Sequence, residues 1–318
     1  MSQQLDGLIV KEQSGFYWVE ATDGIVYVCR LRGRLKEDAK TSDIAAIGDR
    51  VSITLINADG HEGIIEAVYE RHTVLSRAVR TTGKRGGGQA EREQVLIANP
   101  DQAFFVFAAA QPTPNLQLLD RLLVTGEAAE IDEVVIVINK IDLENPSNIN
   151  ELLQPYRRMG YDMIFTSAVR DDGLDDLKAR LKDKISVFTG PSGVGKTSLL
   201  NKVQAGLGRS VKSISEFSQE GIHTTRDSAL IKLETGGYLA DTPGIRTMAV
   251  WDVEPDELDA YFVDIWKYAP TCKFRNCTHT NEPGCAVIAA TESGAISRRR
   301  YDHFLKLREE LRETYIVY

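Results

Sequence analysis

Long apolar runs are missing from this chain of 318 residues: none approaches the ~20 residues needed to span a bilayer, so no membrane partner is expected. The N-terminal stretch MSQQLDGLIVKEQSG lacks both the basic region and the apolar core of a secretory signal, so a cytoplasmic location is expected. Cysteine is scarce. There are four, three of them crowded near the C-terminus, which argues against a disulfide framework and for a metal site. Positive charge is in deficit, and a net charge of −8 gives no support for unspecific nucleic-acid binding. What is present, 42% hydrophobic and 26% charged residues, is the composition of a soluble globular protein. The length suits about two or three domains.

Organisation changes along the chain. Residues 1–75 read as short strands with alternation, GLIVKE, GFYWVEA, GIVYVCRLRG, DRVSITLI and EGIIEAVYE, with turns at Asp23-Gly24 and Asp59-Gly60. Such a set fits a small β-barrel, an OB-fold first and an SH3-like barrel second. Residues 76–98 read as a basic linker around Gly86-Gly87-Gly88, mobile or ordered by RNA. Arg77, Arg80, Lys84, Arg85 and Arg92 stand there against the acid Glu91, and Arg298, Arg299 and Arg300 form a second basic cluster. Each cluster is either solvated surface or an RNA contact. Residues 99–250 alternate apolar strands (AFFVFAAA, EVVIVIN, DMIFTSA, ISVFTG, GYLADTPG) with helical stretches, the pattern of an α/β domain with a mostly parallel sheet. Residues 251–318 open acidic and helical, pass a Cys/His cluster and end in a helix on which Tyr301, Phe304, Leu305 and Leu311 share a face.

GPSGVGKTS fits G-x-x-x-x-G-K-[ST], between the strand ISVFT and the helical SLLNKV. Gly190, Pro191, Ser192, Gly193, Val194, Gly195, Lys196, Thr197 and Ser198 would wrap a phosphate chain. The glycines let backbone N–H groups turn inward, and the helix N-terminus adds a favourable dipole. Lys196 is placed for the β and γ phosphates and the Thr197 hydroxyl for Mg²⁺. In LADTPG, Asp241 would hold Mg²⁺ through water and Gly244 would offer its N–H to a γ-phosphate.

NKID, residues Asn139, Lys140, Ile141 and Asp142, ends the strand EVVIVIN. A carboxylate accepts both N1–H and the 2-amino group of guanine, so Asp142 would select guanine over adenine. Asn139 would reach the opposite edge and tie neighbouring loops, and Lys140 would lay its stem along the base. TSA ends the next strand, where a backbone N–H at Ser167 or Ala168 would meet the guanine oxygen. The competing reading is a P-loop ATPase with an accidental NKID. In the segment SQEGIHTTRDSALI, Thr224 and Thr225 both suit the mobile-loop Thr that completes Mg²⁺ coordination. Ile245 stands after DTPG, where many GTPases carry a Gln; an aliphatic side chain cannot orient water, so turnover alone should be slow. His223 is the local candidate for placing the nucleophile. The spacing C-x4-C-x-H-x5-C, Cys272, Cys277, His279 and Cys285, gives three thiolates and one imidazole, a closed structural zinc site. Cys29 lies apart and reads as core.

The order NKID, TSA, GPSGVGKTS, Thr-rich switch, DTPG is that of circularly permuted GTPases. With its β-rich N-terminus and C-terminal Cys/His cluster, the chain resembles, over essentially its whole length, the ribosome small-subunit-dependent GTPase A family. The resemblance implies an OB-fold RNA-binding barrel, a permuted GTPase domain and a mainly helical zinc domain. It implies GTP hydrolysis to GDP, stimulated by the small (30S) ribosomal subunit late in its maturation, with rRNA as partner and a monomeric chain. It favours Thr225 over Thr224 and makes His223 the catalytic residue beside Lys196. An RNA-binding factor that senses GTP without using its hydrolysis is the alternative. Because DTPG leads through IRTMAVWDVEP into the C-terminal domain, GTP binding is expected to reposition that domain.

Overall fold

The computed structural model describes residues 3–36, 42–57, 59–80, 91–208, 228–241 and 253–316. The N-terminal strands are β1 (Gln4–Gln13), β2 (Phe16–Ala21), β3 (Val26–Leu31), β4 (Arg50–Asn57) and β5 (Glu62–Val68). Their order is β1-β2-β3-β5-β4, and β4 pairs back onto β1 from Gln4↔Thr54 to Leu8↔Arg50. β3 and β5 run parallel. This closed five-stranded barrel is the OB-fold, as expected. Alternation decides which face fills it: Tyr17, Val19 and Ala21 are buried, while Phe16, Trp18 and Glu20 between them are half-exposed. Cys29 is core, and burial pushes its thiol up to about 12.

Two strands follow where a linker was expected. β6 (Val74–Arg80) and β7 (Glu91–Ala98) pair antiparallel from Val74↔Ala98 to Arg80↔Glu91. The flanks of 76–98 are therefore a hairpin, and its Gly-rich tip lies outside the described residues. Barrel and hairpin lock at the loop before β4. Buried Asp49 accepts two bonds of 2.8 Å from Arg71, and Ala98 N donates to Ile47 O. A Cβ on Gly48, whose φ is +86°, would lie 2.0 Å from Ala98 O, so only glycine fits.

The α/β part has β8 (Gln102–Ala108), β9 (Glu133–Asn139), β10 (Asp162–Phe165), β11 (Ile185–Thr189), β12 (Ser228–Lys232) and β13 (Tyr238–Asp241). The order is β10-β9-β8-β11-β13-β12, parallel except for β12. The period of two feeds both faces. Phe105, Phe107, Ile136 and Ile138 pack on α1 (Leu116–Ala128) and α2 (Pro146–Arg158). Phe104, Val106, Val135 and Val137 pack on α3 (Leu174–Leu181) and α4 (Lys196–Val203). Asn115 and Asn145 cap α1 and α2 through bonds to Leu118 N and Ser147 N. The sheet continues into the barrel, because β12 pairs with β1 at Lys11↔Ala229 and Glu12↔Ser228.

The C-terminal part contains short turns, α5 (Ala286–Glu292) and α6 (Arg298–Ile316). Tyr301, Phe304 and Leu311 are buried on the expected face of α6 and Leu305 is half-buried beside them; Leu307 joins them with Phe262 and with Val124 of α1. The basic cluster 298–300 is not one surface patch. Arg300 is 1% exposed, donates bidentately to Asp264 at 2.9 and 2.8 Å, and also pairs with Asp120, itself 1% exposed. Asp120 further accepts from Tyr156 Oη at 2.8 Å and meets His303 Nδ1 at 2.5 Å. The Tyr156 and Phe262 rings lie 5.4 and 5.0 Å from the guanidinium. Arg299 is half-buried and donates to Leu152 O, so of the three only Arg298 is an exposed side chain, and it pairs with Asp302. The RNA reading of this cluster fails for Arg300 because its charge is consumed inside the protein.

Arg300→Ala would leave Asp120 buried and short of its countercharge, a loss of about 3–5 kcal/mol. Arg298→Ala should be near neutral. Urea unfolding of the two variants, followed by circular dichroism, separates these outcomes.

Candidate nucleotide site and metal centre

The sheet order sets the site. The chain runs outward from β8 through β9 to β10, then returns to β11 on the other side of β8. Loops leaving β8 and β11 diverge there, and a crevice opens at the carboxyl ends of the parallel strands, where α/β proteins bind ligands. Three of the motifs meet at that edge. Asn139, 1% exposed, donates from Nδ2 to Val194 O at 2.8 Å and accepts from Thr166 Oγ1 at 3.2 Å. Lys140, in the left-handed region at φ 60°, donates from Nζ to Gly193 O at 2.7 Å and to Gln111 O. NKID is thereby joined to both the Gly190–Ser198 loop and the TSA segment.

The Gly-rich loop needs its glycines. A Cβ on Gly190 would lie 2.0 Å from Val106 O, and one on Gly195 would lie 2.4 Å from Asn139 Nδ2. The loop ends on the first turn of α4, whose N-terminus carries the dipole that favours an anion. Lys196 Nζ donates to Gly190 O and Pro191 O, both at 2.6 Å, so its charge lies at the loop's own carbonyls. Thr197 and Ser198 are exposed in the first turn of α4, and Val194 is buried in the core beneath the loop.

Asp142 faces the same edge. Buried Ser167 donates from Oγ to Asp142 Oδ1 at 2.6 Å and accepts from Arg170 N at 3.1 Å. The Ser167 hydroxyl holds the Asp142 carboxyl below the usual carboxylate range, so it is ionised at neutral pH. Ile141 N donates to Thr166 O, which fixes this turn against the next strand. The side-chain roles of Thr166 and Ser167 were not foreseen; short hydroxyl residues directly after a strand that follows NKID are the signal available for them. Asp241 ends β13, but its side chain, together with His223, Thr224, Thr225, Gly244 and Ile245, lies outside the described residues.

The Cys/His cluster converges. Cys272 Sγ lies 3.6 Å from His279 Nδ1 and 3.8 Å from Cys285 Sγ, and His279 Nδ1 lies 3.4 Å from Cys285 Sγ. With Cys277 the four ligand atoms lie within 4.8 Å of one another. Tetrahedral bonds of about 2.0–2.3 Å give ligand separations of this size, so the set fits a metal ion. Asp259 Oδ2 lies 3.1 Å from His279 Nε2, which orients the ring with Nδ1 inward. N–H groups of Ala286 and Ile288 point at the sulfurs of Cys272 and Cys285, which favours thiolates.

Comparison with known proteins covers the same ground. A family model described as RsgA GTPase matches residues 68–251, and the RsgA N-terminal domain matches residues 6–65. The small ribosomal subunit biogenesis GTPase RsgA of Caldanaerobacter subterraneus subsp. tengcongensis is 38% identical over 311 residues, 98% of this chain and 97% of that one. The protein of the same name from Geobacillus kaustophilus is 40% identical over 311 residues, 97% of this chain and 98% of that one. The crystal structure of YjeQ from Thermotoga maritima superimposes with a TM-score of 0.76 at 33% identity, covering 97% of this chain and 99% of that one. YloQ, a circularly permuted GTPase, does so with a TM-score of 0.73 at 34% identity, covering 98% and 96%. The two family models together span most of the barrel and the permuted sheet, and the chain belongs to the RsgA GTPase family.

Proposed function

We propose that this GTPase works in small ribosomal subunit biogenesis, reading guanine with Asp142 and gripping the phosphates with the Gly190–Ser198 loop. The observation that supports the reading is the Asn139 bond to Val194, which ties the NKID turn to the Gly190–Ser198 loop. Asp142 accepts the two guanine donors, oriented by Ser167. Loop N–H groups and Lys196 offset phosphate charge, and water attacks the γ-phosphorus, releasing phosphate and GDP. Thr197, Thr225 and Asp241 are the residues that would hold Mg²⁺, which when bound offsets charge on the phosphate oxygens. His223 is the proposed positioner of the attacking water.

The partner proposed is the small subunit through its rRNA. The barrel supports this: Lys11 Nζ lies 4.6 Å from the Trp18 ring and the Arg30 guanidinium lies 4.5 Å from the Phe16 ring, on the outer face of β1–β3. Cations beside half-exposed aromatics on these strands suit the stacking of bases. For Cys272, Cys277, His279 and Cys285 we propose zinc, because three thiolates and an imidazole at tetrahedral spacing leave no position for water.

GTP turnover measured with purified small subunits, large subunits or neither tests the function. Turnover should be slow alone and rise about 100-fold or more with small subunits only, the scale of one recruited acid–base group. Equal rates in all three would sink the small-subunit reading. Asp142→Asn should weaken GTP about 100-fold or more and gain xanthosine triphosphate, since an amide can donate to that base's 2-oxygen; unchanged GTP affinity in a fluorescent-nucleotide titration refutes the guanine assignment. Metal analysis of the purified chain should return about one zinc per molecule, lost in Cys272→Ser with a lower melting temperature.

A further inference from the structure

Helix α2 and the C-terminal domain meet along a cleft of about 490 Å³, whose walls include Gln154, Arg158, Lys267, Tyr268 and Ser297. That volume suits a small organic molecule or one nucleotide. Its charge is one-sided. Arg158 and Lys267 are exposed, and neither has a carboxylate partner among the described residues. Asp264, the acid on the wall, is already taken by Arg300 at 2.9 and 2.8 Å. The stretch from Ile265 to Asn281 carries Lys267, Lys273 and Arg275 and no Asp or Glu, in a chain of net charge −8. Aromatic surface lies beside this charge: Lys267 Nζ is 5.9 Å from the Tyr268 ring, and the neighbouring Trp266 is 52% exposed.

We infer that this cleft takes one unpaired nucleotide of an RNA strand. The inference rests on the reading of the small subunit as partner. Arg158 and Lys267 take the phosphate, the Tyr268 ring stacks on the base, and the Gln154 amide and Ser297 hydroxyl bond its polar edge. Trp266 stands outside the cleft lining and stacks on the adjoining base, a surface that a free mononucleotide would leave unused. The shared chemistry is a phosphate joined to a flat base; a strand engages both aromatics.

The test compares full-length Arg158→Glu/Lys267→Glu with Arg157→Glu/Lys182→Glu, which makes the same charge change off the cleft. Matching thermal unfolding curves show that both are folded. The cleft variant should bind purified small subunits about tenfold or more weakly than the control at fixed salt. Ultraviolet crosslinking of the unmutated chain on small subunits should attach RNA at Trp266 or Tyr268. Equal affinity of the two variants, with crosslinks only elsewhere, overturns the inference and leaves the proposed function standing. Failure of the unmutated chain to bind small subunits removes the proposed function itself, and the RNA assignment with it. Saturable binding of free uridine 5′-monophosphate to the GDP-loaded chain, lost in the cleft variant while subunit affinity is unchanged, gives the cleft to a small molecule and also overturns the RNA reading.

Discussion

The Asn139 carboxamide holds three loops in register. It is 1% exposed, donates to the P-loop at Val194 and accepts from Thr166 at the end of β10. Leaving such partners buried and unpaired costs about 1–3 kcal/mol, enough to decide how three strand ends sit relative to one another. Lys140 repeats the tie at Gly193. In the proposed reading, base recognition and phosphate recognition are therefore set at a fixed spacing. Because protein groups already engage both ends of the Asn139 amide, discrimination of the base in the proposed reading rests on Asp142, which Ser167 orients and keeps ionised.

Permutation moves the ends of the chain without moving this arrangement. β11 enters the sheet after β8, β9 and β10, yet it sits between β8 and β13, where the P-loop can meet NKID across β8. Both flanking domains are then attached to structural elements rather than tethered by loops. The barrel joins through the ladder from β1 to β12, backed by the Lys232–Glu20 ion pair. The C-terminal domain joins through α6 on α1, by the apolar cluster around Phe304 and Val124 and by the Arg300–Asp120 ion pair.

Motifs whose chemistry is local were legible: the Gly-rich loop, NKID and the Cys/His spacing each lie within a few residues, and the structure brings each together. The barrel was legible from alternation, down to the inward Cys29. The β6–β7 hairpin was not. Neither VLSRAVR nor EREQVLIA alternates: each sets polar and apolar residues in blocks, EREQ before VLIA in the second, and a Gly-rich basic tip separates them. The burial of Arg300 is not legible either, for a different reason. Its partner Asp120 is 180 residues away and no local pattern reports the pairing, so a buried cation looked like surface charge. The switch residues, His223 and Thr225 among them, rest on the sequence and the family alone.

The buried ion cluster also bears on how a nucleotide signal can travel. Linkage of DTPG to the C-terminal domain invites the idea that GTP swings that domain. Rotation of α6 against α1 would have to part Arg300 from Asp120, and breaking a buried pair costs about 3–5 kcal/mol. Coupling between ligand sites typically supplies only about 1–3 kcal/mol. A swing at this interface is therefore the costlier route, and movement of α1 and α6 as one body is the cheaper one. On that accounting the Asp120–Arg300 contact acts mainly to fix the angle at which the C-terminal domain docks. A change at the γ-phosphate would then reach the surfaces proposed to face the small subunit without altering the angle between α1 and α6.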